Sequence, residues 1–116
     1  MKTQEVVSGL SALAQETRLA IYRLLVEAGP NGLAAGAIAQ RLDVAPSSLS
    51  FHLAQLTHAG LINQRRISRS LIYAADFAAM NGLVAYLTEN CCGGRSCPPV
   101  CQPAKIPARR SRKKSA

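Results

Sequence analysis

The stretch 34–60, AAGAIAQRLDVAPSSLSFHLAQLTHAG, decides the fold. Ile38 and Leu42 stand at i and i+4, the spacing of a short helix over about 34–42. Asp43-Val44-Ala45 breaks the pattern. Pro46 suits the first turn of a second helix, where its missing N–H costs nothing. That helix runs to about Ala59, and Gly60 closes it. Leu49, Leu53 and Leu56 share one side and pack inward. At about 100° per residue, Ser47, Phe51 and Gln55 point roughly opposite that stripe, with Ser48 and Ser50 beside them at the helix start.

Working outward, the flanks complete a plan. Toward the N-terminus, Val6, Val7, Leu10 and Leu13 recur at helical spacing. A second helix carries Leu19, Ile21, Tyr22, Leu24 and Leu25 and stops at Gly29-Pro30, and Asn31-Gly32 makes the turn. Toward the C-terminus come two strand-like runs, 61–67 and 70–74, with Ser68-Arg69 at the bend. The bend lacks the Asn-Gly signal of a tight hairpin, so its turn type stays open. A last helix over about 77–90 carries Phe77, Met80, Leu83, Val84 and Leu87 on one stripe. The expected fold is mainly α with a β-hairpin wing, a winged helix-turn-helix. The apolar stripes of the first and last helices predict a homodimer paired through them, since such proteins read two half-sites.

The exposed side of the 46–59 helix fits DNA. Small hydroxyls at Ser47, Ser48 and Ser50 let the backbone approach base edges and phosphates, and a helix start favours phosphate through its open N–H groups. Gln55 is suited to adenine, and Phe51 to a thymine methyl. His52 lies beside the apolar stripe and meets a phosphate or packs locally. Serines at a helix start are also ordinary caps, so the helix alone leaves the two readings even. The hairpin tips the balance. Arg65, Arg66 and Arg69 gather on one short segment, the electrostatic footprint of a DNA-facing wing.

The charge is uneven in a way that agrees. The 116 residues hold 14 Lys and Arg against 6 Asp and Glu, a net +8. Residues 1–90 carry seven basic and six acidic residues, net +1; residues 91–116 carry seven basic and none acidic, net +7. The expected division is a winged helix-turn-helix and dimerisation domain at 1–90, followed at 91–116 by a cysteine-containing loop and a basic, disordered tail. That tail either adds unspecific attraction to DNA or serves solubility. One domain is the prior for this length. No apolar run approaches the roughly 20 residues of a membrane span. MKTQEVVSGL lacks a signal peptide's apolar core. The expected location is cytoplasmic, with no membrane partner and no organic cofactor.

The residues 12–25, ALAQETRLAIYRLL, and 42–62, LDVAPSSLSFHLAQLTHAGLI, resemble the ArsR/SmtB family of metalloregulatory repressors. The resemblance covers roughly residues 5–92. Ser50, His52, Leu53, Leu56 and Ala59-Gly60-Leu61 stand at places matching the family's recognition region. The position before His52 is often Arg in the family and is Phe51 here. The resemblance implies homodimers that hold an operator in double-stranded DNA until a metal ion or metalloid binds.

The family places effector sites variously. The helix before the recognition helix, 33–43, holds no Cys or His, and the last helix holds no His. What remains is CCGGRSCPPVC at 91–101, with all four cysteines of the chain: Cys91, Cys92, Cys97 and Cys101. Soft thiolates suit soft acceptors. Trivalent arsenic or antimony takes three sulfurs, and Gly93-Gly94 frees the loop to fold a third thiolate over the pair. A subgroup of arsenic-responsive members, by the resemblance, carries a Cys pair and a nearby Cys just after the last helix. The expected ligands are Cys91, Cys92 and Cys97, with Cys101 as the substitute, and the expected inducer is As(III) or Sb(III) acting on an arsenic-resistance operon. A sensor of methylated trivalent arsenic, of zinc-group metals or of redox state stand as alternatives, in that order. From other classes, a small thiol enzyme lacks a C-x-x-C beside a strand–helix unit and a second catalytic group; a constitutive zinc-stabilised DNA-packaging protein would ignore metalloid. The expectation is a regulator, not an enzyme.

Overall fold

A computed structural model describes residues 1–95. Five helices and a small sheet follow in the order α1 (Thr3–Leu13), α2 (Glu16–Ala28), β1 (Leu33–Ala34), α3 (Ala35–Leu42), α4 (Pro46–His58), β2 (Ile62–Ile67), β3 (Ser70–Ala75) and α5 (Phe77–Leu87). The expected winged helix-turn-helix is present. Local chemistry sets its boundaries. The Gln15 side chain accepts from Arg18 N at 2.9 Å and starts α2. Gly29, at φ 82°, ends it, with its N–H on the Leu25 and Val26 carbonyls. Asp43 closes α3 in the left-handed region at φ 54°. Gly60, at φ 81°, turns the chain after α4 so that Leu61 N reaches Leu56 O at 3.1 Å.

The core lies between the helices and the sheet. Ile21, Leu25, Ile38, Leu56 and Leu61 are fully buried at its centre, and Leu49 and Leu53 extend the α4 stripe into it. The three leucines predicted to face inward on α4 therefore do. Burying side chains of this size contributes about 1.5–3 kcal/mol each, so α3 and α4 are held to one another by their leucines and isoleucine rather than by polar bonds.

Strand β1 was not foreseen in the sequence. Leu33 and Ala34 pair antiparallel with Tyr73 and Ile72, which makes the hairpin a three-stranded sheet in the order β1-β3-β2. Gly32 permits the approach: its φ is 70°, and a Cβ there would collide with the Tyr73 carbonyl oxygen. The β2–β3 hairpin closes through a two-residue loop, with Ile67 opposite Ser70 and Ser68 at φ 56°.

The last helix corrects one expectation. It ends at Leu87 rather than at Asn90. Thr88 caps it, its N–H and its Oγ1 both donating to Val84 O at 3.1 and 2.8 Å, and Asn90 turns left-handed at φ 56°. Cys91 and Cys92 therefore stand on a separate 3₁₀ turn, 91–94, and not on the end of α5 itself. The apolar stripe of α5 also divides. Leu83 is buried and Phe77 and Met80 pack on the core, whereas Val84 and Leu87 are 54% and 59% exposed. Helix α1 divides likewise: Val6, Gly9 and Ala12 face inward, and Val7 and Leu10 face out. The two helices touch, and Thr3 Oγ1 and Tyr86 OH share a 2.7 Å hydrogen bond.

Candidate nucleic-acid interface

Helix α4 begins after Ala45, which offers no side-chain cap, and Pro46 has no N–H. The first intrahelical bond is Leu49 N to Ala45 O, so the Ser47 and Ser48 amides have no partner within the helix and open at its start. Opposite the leucine stripe, Ser47, Phe51, Ala54 and His58 recur at i, i+4, i+7 and i+11 and are all exposed. Phe51 is 58% exposed, a ring left in water at the middle of this face. His58 belongs to the same row. The outward row Ser47, Phe51 and Gln55, taken in steps of four, misses it; steps of four, three and four from Ser47 reach it.

Two grooves flank the face. On the sheet side, Ser50, Ala54 and His58 meet Gln64 and Tyr73. On the α1 side, Gln55 and His58 meet Ser8, Ser11 and Arg18. Gln55 and Ser50 therefore sit on opposite shoulders of the helix, where a duplex entering along α4 would place its two groove walls. His52 is half-buried on the Gln55 shoulder, its Nδ1 3.4 Å from Arg18 Nη1. His52 thus packs on Arg18 through its Nδ1 edge.

The wing arginines do not behave alike. Arg65 spends its guanidinium on the loop before β1, with Nη1 on Pro30 O at 3.1 Å and Nη2 on Asn31 O at 3.0 Å. This fork spans two consecutive carbonyls and ties β2 to the turn after α2. Strand alternation puts Arg66 on the opposite face, the one that carries Gln64 beside α4. Arg69 sits in the hairpin loop; both are exposed. Residues 44–75, which hold α4 and the wing, contain three arginines and no Asp or Glu, so nothing acidic on this segment opposes a polyanion.

The cysteine turn lies after the far end of α5. Cys91 and Cys92 are exposed, with Sγ atoms 3.8 Å apart, and Cys92 is left-handed at φ 58°. Two thiolates on one tetrahedral ion with bonds of about 2.3 Å stand about 3.8 Å apart, and this pair matches that separation. Among the described residues no three Cys, His, Asp or Glu side chains converge. The third and fourth expected ligands, Cys97 and Cys101, lie outside the described residues, as does the basic tail. No described helix is long and apolar enough to cross a membrane.

Comparison with known proteins agrees with this geometry. A helix-turn-helix domain family matches residues 13–65. The transcriptional activator HlyU of Vibrio cholerae is 32% identical over 72% of this chain and 74% of its own length. A protein of Halobacterium salinarum, provisionally named arsenical resistance operon repressor ArsR, is 47% identical over 52% of this chain and 46% of its own. Among solved structures, an ArsR-like transcriptional regulator from a Rhodococcus species superposes with a TM-score of 0.67 at 30% identity, covering 78% of this chain and 82% of the other. The homodimeric winged helix-turn-helix DNA-binding domain of a Mycobacterium bovis protein superposes at 0.59 with 26% identity, over 79% and 85% of the two chains. The relatives are regulators of transcription, not enzymes.

Proposed function

The chain belongs to the ArsR family of winged helix-turn-helix transcriptional regulators, and from that premise we propose a homodimeric repressor of an arsenic-resistance operon. It holds operator DNA through α4 and the wing and releases it when As(III) or Sb(III) binds the thiolates that follow α5. The observation that carries this reading is the pairing of two features in one chain. An acid-free head exposes Ser47, Ser48, Ser50, Phe51 and Gln55, and an exposed vicinal thiol pair stands beyond the helix that bears the outward apolar face. The likeness to the halobacterial protein named for arsenical resistance supports the inducer; the likeness to an activator supports only the regulator.

Each part of the chain has its work. Residues 1–90 form the DNA-binding and dimerisation domain, and residues 91–116 the sensing loop and basic tail. Val7, Leu10, Val84 and Leu87 are the dimer face; burying each contributes on the order of 1 kcal/mol, given that each is already half-covered. Arg66 and Arg69 meet phosphate, while Arg65 holds the wing at its angle. When bound, the metalloid supplies covalent bonds to thiolates; Cys91 and Cys92 give two of them, and Cys97, or Cys101 in its place, the third. A regulator of chromosomal DNA works in the cytoplasm. A methylated trivalent arsenic needs only two thiolates, which the vicinal pair alone offers, so it is the second reading.

The test is a selection followed by a titration. Duplexes enriched from a random-sequence pool by the full chain are labelled, bound, and titrated with arsenite, antimonite, phenylarsine oxide and zinc. Release by arsenite and antimonite at the lowest concentrations supports the proposal. Release by zinc alone, or by none of the four, contradicts it.

A further inference from the structure

Arg18 is the one side chain among the described residues whose guanidinium bonds link α1 to α4. Its Nε donates to Ala12 O at 2.7 Å, and its Nη1 lies 3.4 Å from His52 Nδ1 on α4. A guanidinium has no acceptor, so the imidazole nitrogen facing it must accept. A hydrogen bond of that kind selects the tautomer with its proton on Nε2. The two ring nitrogens point in nearly opposite directions, so with Nδ1 turned inward to Arg18, the Nε2–H is turned outward. His52 lies on the Gln55 shoulder of α4, at the margin of the exposed face.

We propose that Arg18 is a positioning residue for DNA binding, which locks His52 as an Nε2–H donor to a backbone phosphate and couples that donor to the dimer helix α1. The inference rests on the reading that α4 faces DNA. The first N–H of the fork caps the carboxyl end of α1, where a cation is favoured. The second holds the imidazole. A change in the angle of α1 therefore acts on the orientation of His52 through the Arg18 fork. A neutral donor adds affinity without releasing a counterion, unlike Arg66 or Arg69.

Long-range proton–nitrogen spectra of the full chain at pH 8 report the tautomer directly. The parent is expected to show His52 as a single Nε2–H form, and Arg18→Met a mixture of both; Arg18→Lys, which keeps a donor, returns part of the signal. In parallel, anisotropy with a random-sequence 20-base-pair duplex reads affinity against salt. His52→Ala and Arg18→Met should each weaken binding about tenfold, the worth of one hydrogen bond to a charged group, with an unchanged salt slope. In the His52→Ala background, Arg18→Met should add less than twofold. A parent His52 protonated on Nδ1 overturns the lock, and this needs no variant to fold. Multiplying losses in the double variant overturn the coupling, and a slope lower by about one makes Arg18 itself a phosphate contact. A parent that binds no duplex overturns the DNA reading and the phosphate role with it, and the tautomer result distinguishes that failure from failure of the lock.

Discussion

Helices α4 and α5 are 13 and 11 residues long; α4 buries Leu49, Leu53 and Leu56 in the core, and α5 packs Phe77 and Met80 against it. They differ in what they leave outside. Helix α4 exposes three serines, Gln55 and His58 around a single ring, Phe51; α5 exposes Val84 and Leu87, as α1, which touches it, exposes Val7 and Leu10. Polar side chains on a rigid helix keep their options among water, phosphate and base edges. Outward valine and leucine have no such use and call for another apolar surface. One fold thus carries a wet end suited to a polyanion and a dry end suited to a second copy, and the vicinal cysteines stand beyond the dry one.

Breaking the dry end should have the largest effect. Val84→Asp combined with Leu87→Asp puts two like charges into the proposed pairing face. The dimer dissociation constant is expected to rise at least a hundredfold by sedimentation, on the order of 3 kcal/mol, with the monomer still folded by circular dichroism because both positions are exposed. An unchanged dimer would move the interface elsewhere.

The wet end is sharpened by its three arginines. Arg66→Ala and Arg69→Ala should each flatten the dependence of log affinity on log salt by about one. Arg65→Ala should leave that slope alone and cost about 1 kcal/mol of folding stability, because its fork holds Pro30 O and Asn31 O. A slope lost equally at all three positions would make Arg65 a phosphate contact as well.

Those arginines show where sequence reading stops. The spacing of Leu49, Leu53 and Leu56, the break at 43–45 and Pro46 are local signals, and together they located the helix-turn-helix. The use of Arg65 depends on a loop 35 residues away in the chain, and no local pattern carries that. Strand β1 escaped for the same reason: two residues have no period, and only their pairing with Tyr73 and Ile72 makes them a strand. The end of α5 lay in the left-handed turn at Asn90, which the apolar stripe does not announce. Cys91 and Cys92 were legible as soft donors from composition, but their placement on a separate turn was not.

The smallest effect concerns the core that both ends share. Tyr22 is buried, and its hydroxyl has no hydrogen-bond partner. Burial, with the Asp76 carboxylate as the lesser cause, pushes the phenol above its ordinary value. The unfolded phenol loses its proton near pH 10 while the folded one keeps it, so stability is full below pH 10 and falls as pH rises from there toward the folded value. Tyr22→Phe removes the unpartnered group. It should raise stability by about 1 kcal/mol and remove that alkaline slope, as read by denaturant unfolding between pH 8 and 11.

The separation of the two ends is tested most directly by one anisotropy titration on the Cys91→Ser, Cys92→Ser chain. A labelled duplex enriched by the parent is bound first, and arsenite is added to each complex. The account predicts equal affinity for the duplex in parent and variant, with release by arsenite from the parent alone. Release from both at the same arsenite concentration would contradict it, as would a variant that no longer binds the duplex.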